Sequence, residues 1–586
     1  MPKVNNDPQV LLQAATRFHR AGELVRAAKL YEQVLRLSPA DPNALHLLGL
    51  VRHQQGAHTE GAAYIRRAVE VVPNNPVLRS NLGDALRRAG EPQAAIEQLQ
   101  VALTLRPDYA GAHLNLGAAY GEILAYEVAL RHAEEAVRLA PDLAEAHYNL
   151  GRALFDQLRL EEAVGAFREA LRRRPDYPAA VGNLLYLLNL IPGLEPWAVA
   201  AEHRRICNHL DNIARLPRRD PSRRPDQLLR IGYVSRDFRA HAVNYFFEPV
   251  LAHHDRQRFR VYCYADVERP DVVTVRLKGL ADQWRDIVGW SDCRLDEQVR
   301  ADRIDILVDL GGHTEKNRLT LFARKPAPLQ ISWLGYPNTT GLGAMDYRIV
   351  DVSTAPEGET LHGCEAPLRL PRLFACFRPP DHAPAVNPAP VAETGSITFG
   401  SLHKLEKINS AVIRLWSRLL QTLPDAQLLI ARDQIDPWRR QRLEGAFAAL
   451  GIDPGRLLFR SLDDPMHSFF EQFKDIDIFL DVFPWSGHTL ACCALWQGVP
   501  VITLEGKSHA GRMVSSLLRA VGLEQLVAKD ETDYLRIAAG LAADLPALVI
   551  LRAHLRDQVA ASPLRDEQGF TRALEKSYTK AWIERQ

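Results

Sequence analysis

The pattern of apolar and polar positions changes character once along the chain. Its first third reads as paired amphipathic helices. From residue 229 onward, short apolar runs bounded by polar loops alternate with helical stretches. LLRIGYVS, RFRVYCYA and RIDILVDLGG have the composition of buried strands, and SITFGSL, AQLLIARD, RLLFRS, DIFLDVFP and VPVITLEG form a second such series. Strands alternating with helices predict parallel sheets covered on both faces. The fold class expected is therefore multidomain: an all-α superhelix, then two α/β Rossmann-like domains. The boundaries are 8–210 for the helical region, 211–228 for a linker, 229–385 for a first α/β lobe, and 395–586 for a second lobe with terminal helices.

The helical region is periodic. Pro39, Pro73, Pro107, Pro141 and Pro175 stand 34 residues apart, Gly49, Gly83, Gly117 and Gly151 keep the same step, and Ala27, Gly61, Ala95, Ala129 and Ala163 form a third series. A proline that ends the second helix and small residues where two helices meet give the tetratricopeptide pattern. Units are placed at 8–41, 42–75, 76–109, 110–143 and 144–177, with a degenerate sixth through VGNLLYLLNL. Each pair leaves apolar surface that only a neighbour covers, so the array should wind into a right-handed superhelix with a concave binding face. Asn81, Asn115, Asn149 and Asn183 share the 34-residue step. An amide ladder of this kind can hold an extended peptide by its backbone, which makes the four asparagines candidate acceptor-binding residues. The competing reading is that asparagine merely suits this position of the repeat.

Composition narrows the remaining possibilities. Across 586 residues, 72 Lys and Arg face 71 Asp and Glu, so no overall charge draws the chain to nucleic acid or lipid. The arginines of IARLPRRDPSRRPDQ read as a linker, since aspartates and prolines interrupt them and no aromatic residue accompanies them. Seven cysteines without a CxxC pair, no run of 18 apolar residues, and a start, MPKVNNDPQV, that lacks a leader pattern predict a cytoplasmic protein with no membrane partner.

Ligands of parallel sheets bind at the carboxyl ends of the strands, and a cleft between two such domains is the place to search. No GxGxxG or Walker loop is present. His241, in the loop after the first strand with Asp237 four residues before it, has the proton affinity to take a hydroxyl proton or to orient a substrate. Lys404 and Lys407 sit where SITFGSL turns into a helix, a place suited to a diphosphate leaving group. In DVFPWSGHTLACCALW, Gly487, His488 and Thr489 occupy a strand-to-helix turn whose free N–H groups suit phosphate oxygens. The pair Asp475 and Asp477 echoes a DxD metal motif, but its alternating setting reads as sheet flank. GGHT lacks converging ligands, so no metal site is assigned.

These segments, in this order, resemble peptide O-GlcNAc transferases of bacterial type, in which tetratricopeptide repeats precede a two-lobed GT-B glycosyltransferase. The pieces that carry the resemblance are the Asn-Leu-Gly ladder, RIGYVSRDFRAH, ILVDLGGHT, RKPAPLQISWLGYPNTTG followed by MDYRIVD, the Lys407 segment, and the run from SGHT to GVPVITLEG. The resemblance implies inverting transfer of GlcNAc from UDP-GlcNAc to protein serine or threonine hydroxyls, with no cofactor and no required metal. By similarity, His241 matches the histidine described as base, and Lys407 the lysine that stabilises the departing diphosphate. Leu334, Gly335, Tyr336 and Pro337 match the loop near the sugar, and His488 and Thr489 the nucleotide turn. His467 matches a nucleotide-binding histidine only with a local insertion. Leu490 and Cys493 replace a second threonine and an acid that holds the ribose, and Lys404 replaces a glutamine. Two alternatives remain: a Spindly-like protein O-fucosyltransferase using GDP-fucose, and a non-catalytic repeat adaptor.

Overall fold

A computed structural model describes residues 7–213, 228–433, 435–462 and 469–585. By contact density the chain divides into two compact units, residues 1–180 and 181–586.

In the first unit, α1 (Pro8–Arg20) pairs with α2 (Leu24–Leu37), α3 (Pro42–Gln54) with α4 (His58–Val71), and α5 (Pro76–Arg88) with α6 (Pro92–Leu105). The last two pairs are α7 (Ala110–Glu122) with α8 (Tyr126–Leu139) and α9 (Ala144–Asp156) with α10 (Leu160–Arg173). The small-residue series does what its spacing predicts. A Cβ on Gly83 would lie 2.5 Å from Leu99 Cγ, and one on Gly151 2.7 Å from the Phe167 ring, so the paired helices approach too closely for any side chain there. Asp41 and Asn75 cap α3 and α5 by accepting from Ala44 N (2.8 Å) and Val77 N (2.9 Å). A further 34-residue series marks the turn inside each pair. Gly22, Gly56 and Gly90 take φ between 76° and 86°, but Leu124 and Leu158 hold the same left-handed place at 62° and 57°.

The second unit opens with α11 (Pro178–Leu188) and α12 (Pro196–Cys207), the degenerate sixth repeat. The boundary expected at 210 thus falls instead at 180. The reason lies in the side chains: Asn189 and His203 reach Tyr336 Oη at 2.8 and 2.6 Å, and Cys207 Sγ lies 3.8 Å from His313 Nε2. The expected linker lies largely in 214–227, outside the described residues.

Two all-parallel sheets follow. The first contains β1 (Leu229–Ser235), β2 (Phe259–Ala265), β3 (Gln283–Asp286), β4 (Ile306–Asp309), β5 (Leu329–Ser332), β6 (Tyr347–Asp351) and β7 (Ala366–Leu370), in the order β3-β2-β1-β4-β5-β6-β7. The second contains β8 (Thr398–Ser401), β9 (Gln427–Arg432), β10 (Leu457–Ser461), β11 (Ile478–Leu480), β12 (Val501–Leu504) and β13 (Val527–Ala528), in the order β10-β9-β8-β11-β12-β13. In both, the chain reverses its direction of growth next to the first strand, between β1 and β4 and between β8 and β11. That is where loops part and a ligand can enter. Central strands such as β4 are buried along their whole length, as a sheet covered on two faces requires.

The second lobe keeps helices Glu531–Ala543 and Leu545–Ala560 but not its last helix, contrary to the expected 395–586 boundary. Helix Glu567–Arg585 packs on helix Asn244–His253 and on β5 and β7 of the first lobe. Its buried Phe570, Leu574, Tyr578 and Trp582 supply the apolar face, and Glu575, 1% exposed, receives His254 Nδ1 at 3.0 Å. Among the described residues no single helix is long and apolar enough to cross a membrane. One bent pair, Glu531–Ala543 with Leu545–Ala560, passes that test by composition alone.

Candidate active site

The Lys407 segment begins where β8 ends. A single 3-10 turn, Leu405–Lys407, separates it from helix Ser410–Thr422, which Asn409 caps by accepting from Ala411 N at 3.0 Å. The same Asn409 donates through Nδ2 to Phe483 O (2.7 Å), which ties the lysine turn to the loop after β11. Lys407 Nζ lies 4.2 Å over the Trp485 ring and 3.4 Å from Trp485 O. Burial pulls this amine down to about 7, Asp481 works in the opposite direction, and Lys404 adds to the depression. Lys404 is exposed and lies 5.6 Å over Tyr186, whose hydroxyl donates to Glu406 Oε1 at 2.9 Å.

Facing the lysine turn is the turn of Gly487, His488 and Thr489. Helix His488–Trp496 starts there with the N–H groups of its first turn lacking intrahelical partners. Asp481, 1% exposed, organises this turn from the end of β11 by accepting from Gly487 N at 2.8 Å and from Thr503 Oγ1 at 2.7 Å. His403 stands beside it, with Nδ1 2.9 Å from Ser401 Oγ and Nε2 3.2 Å from Asp481 Oδ1. A Cβ on Gly487 would fall 2.0 Å from His403 Nε2. The glycine is thus required by the protein's own histidine, and not only by the approach of a ligand. His488 is 8% exposed and stands between Phe246 (5.1 Å) and Phe374 (4.7 Å) of the first lobe. Burial pulls it down to about 4, so it is neutral at pH 7, and its Nε2 has no partner among the described residues. Thr489 and Leu490 are half-buried on the first turn. Cys493 is fully buried on the second, and its burial pushes the thiol well up. Its side chain lies in the core.

His241 enters from the loop after β1. Val243 N–H donates to its Nδ1 at 3.3 Å, and Asp237 Oδ2 lies 3.9 Å from the same atom. Burial lowers its proton affinity, Asp237 raises it, and Arg239 and Lys404 lower it further. In the neutral tautomer that accepts from Val243 N–H the proton sits on Nε2, which can then donate a hydrogen bond. Lys404 of the second lobe is near enough to act on this imidazole of the first.

The loop expected near the sugar is pressed onto the end of β4. Leu334 is held at φ 68°, a conformation costly for a branched side chain, and Gly335 admits no Cβ because Leu310 O would lie 1.9 Å away. Tyr336 is a correction to the expectation. Its ring is buried and its hydroxyl is bound by Asn189, His203 and Leu185 O, so only its backbone remains for a ligand. Pro337 is buried beside it. His467 lies outside the described residues.

The DxD echo dissolves in the structure. Asp477 accepts from Thr398 N (2.9 Å) and Val391 N (3.0 Å), and Asp475 pairs with Arg460 at 2.7 Å. In GGHT, His313 Nε2 meets Thr340 O at 2.8 Å. Sequence reasoning missed His403 and Asp481. The signal for Asp481 was an acidic residue closing the apolar strand DIFLD, where a carboxylate has no place unless it orders the following loop.

The asparagine ladder is spent in part on the repeats themselves. Asn81 Nδ2 lies 2.8 Å from His46 Nε2, Asn115 Nδ2 3.3 Å from Ser80 Oγ, and Asn149 Nδ2 donates to Leu114 O at 3.2 Å. Each thus bonds to the first helix of the preceding pair. All four asparagines are half-buried.

Comparison with known proteins assigns the family. The model of glycosyl transferase family 41 matches residues 184–374 and 392–574, and tetratricopeptide models match 12–76, 83–123 and 125–178. A rice protein (Oryza sativa subsp. japonica) named probable UDP-N-acetylglucosamine–peptide N-acetylglucosaminyltransferase SPINDLY is 41% identical over 366 residues, 61% of this chain and 39% of that one. The similarly named SEC protein of Arabidopsis thaliana is 30% identical over 366 residues, 60% of this chain and 37% of its own length. The chain therefore spans about 40% of the length of such relatives. A solved mutant form of the Thermobaculum terrenum O-GlcNAc transferase is 37% identical with a TM-score of 0.77, covering 87% of this chain and 98% of that one. With two parallel sheets, the Lys407 and His488 turns at the strand ends of the second, and a family model covering most of both, the chain belongs to glycosyl transferase family 41.

Proposed function

We propose that this glycosyltransferase moves GlcNAc from UDP-GlcNAc to serine or threonine hydroxyls of protein acceptors, with inversion at the anomeric carbon. The observation that carries the reading is the facing pair of turns. Lys407 and the open start of helix His488–Trp496 form one cationic, donor-rich place at the strand ends. The acceptor oxygen bonds to C1 while the bond from C1 to the diphosphate oxygen breaks, and the electron pair leaves with UDP. The hydroxyl proton passes to solvent or to a base. Charge grows on the diphosphate as that bond lengthens, so donors aimed at it bind the transition state more tightly than the ground state. Lys407 and the N–H groups at His488 and Thr489 fill that role. His488 Nε2, without a partner among the described residues and enclosed by aromatic rings, is available to the donor.

His241 acts in this scheme as a hydrogen-bond donor through Nε2, orienting donor or acceptor, because its Nδ1 is occupied by Val243 N–H. The positive charge set against the diphosphate comes from the protein, so the reaction carries no metal requirement, and EDTA should leave the rate unchanged. The amide oxygens of Asn81, Asn115 and Asn149, together with Asn183, offer acceptors for the backbone N–H groups of an extended protein segment.

Transfer from radiolabelled UDP-GlcNAc to proteins of a lysate, with GDP-fucose in parallel, tests the proposal. The expected result is labelling from UDP-GlcNAc that Lys407→Ala abolishes while the variant keeps its melting temperature. Labelling from GDP-fucose alone would replace the donor. No labelling from either would leave a binding adaptor.

A further inference from the structure

The loops after β5 and β6 and the start of helix His509–Val521 surround a polar cavity of about 40 Å³. Arg348 of β6 forms one wall and His509 another, and the pair is drawn from the two lobes. Arg348 is 4% exposed, and its Nε and Nη1 have no partner among the described residues; His509 is 6% exposed with Nδ1 in the same condition. The other cations of the lining are occupied. Lys507 Nζ pairs with Glu195 at 2.9 Å, and Arg512 Nη1 with Glu359 at 2.5 Å. Glu365 is near enough to favour the charged guanidinium, but its oxygens are taken up by Thr339 Oγ1 and Thr340 N, each at 2.6 Å.

A buried guanidinium with two unbonded nitrogens is costly, and Glu365 offsets its charge only at a distance; water in the cavity would satisfy the N–H groups without adding a direct counter-charge. A helix start adds the same preference. Helix His509–Val521 runs thirteen residues, and Ser508 and His509 at its beginning line the space. The volume matches one or two waters at about 30 Å³ each, which is room for a single head group. Thr360 and His362, both exposed, also line it. Of the residues assigned to the donor, it includes only Pro337.

We infer that this cavity is a binding site for a small oxyanion, a carboxylate or phosphate group, held by Arg348, by His509 and by the first turn of the helix that His509 begins. Occupied, it would join the β6 loop of the first lobe to the second lobe through one shared charge. The site is independent of which sugar nucleotide serves as donor.

Calorimetric titration of the full chain with inorganic phosphate and, separately, with acetate, at constant ionic strength in chloride, tests it. Saturable binding of at least one anion is expected, and the stronger arm identifies the source chemistry. Arg348→Gln should weaken it about tenfold or more, the effect of deleting a charge-assisted pair, while Lys407→Ala should keep it. Binding lost in Lys407→Ala but retained in Arg348→Gln would place the anion at the donor turns and overturn the inference. Should Arg348→Gln fail to fold, crystals grown with selenate give an independent reading. An anomalous peak within hydrogen-bond distance of Arg348 supports the site. Ordered water alone there, or a peak without measurable binding in solution, which marks binding at crystal concentration only, overturns it.

Discussion

Replacing Gly487 by alanine would place a methyl group 2.0 Å from His403 Nε2, 2.5 Å from its Cδ2 and 3.3 Å from Asp481 Oδ1. Real Cβ contacts stay beyond 3.0 Å, so something must move by at least 3.0 − 2.0 = 1.0 Å. The histidine cannot yield. It is 1% exposed, with Ser401 Oγ at 2.9 Å on one side and Asp481 at 3.2 Å on the other. The turn itself, half-exposed at Trp485, is the softer partner. A shift of that size stretches the Gly487 N to Asp481 bond from 2.8 Å to about 3.8 Å, outside hydrogen-bond range. Overpacking of this kind costs about 1–3 kcal/mol of stability. Misplacing positioning groups by about 1 Å costs on the order of a hundredfold in rate, roughly 2.7 kcal/mol of transition-state binding. Steady-state kcat/KM for the donor, nucleotide affinity by calorimetry and a thermal melt read the three effects. Gly540→Ala, whose Cβ meets nothing within 4 Å, is the control and should be neutral or slightly stabilising. A Gly487→Ala protein that binds nucleotide and turns over within about threefold of wild type would refute the claim that His403 and Asp481 fix this turn.

Other expectations follow from the same geometry. Burial holds Lys407 at about 7, so its charged form is lost as pH rises through that value. The kcat/KM of free enzyme should then fall about tenfold per pH unit above it, and bound diphosphate should displace the kcat limb upward. A plateau of kcat/KM to pH 9 would remove the role given to the lysine. Replacing Asn81, Asn115 and Asn149 by alanine should both weaken labelling of protein acceptors and lower the melting temperature, since each amide also bonds to the preceding helix; donor affinity should not change. Leu124→Gly relieves a φ of 62° and should raise stability by about 0.5–1 kcal/mol in denaturant titration; an equal loss would show that the leucine side chain is needed there.

Much of this protein is written locally, in spacing. The 34-residue series determined the helix pairs, because each small residue answers to a neighbour at a fixed distance along one repeat. The apolar runs determined the central strands β1, β2, β4, β8, β9, β11 and β12, because a strand covered on both faces has no polar alternative. What escaped were the interior strands β5 and β6, embedded in loop-like sequence, and the short strands at the margins. In β3, QWRD carries no buried face to mark it, and β13 is two residues long. The candidate site divides in the same way. Lys407 and the His488 turn were legible because strand ends and helix starts have recognisable sequence. That Gly487 answers to His403, that Tyr336 turns into α11 and α12, and that helix Glu567–Arg585 belongs to the first lobe were not. Nor was it legible that Nε and Nη1 of Arg348 have no partner among the described residues. Each depends on residues more than 70 positions apart, and a contact across such a separation is chosen by packing and burial, which leave no period in the chain.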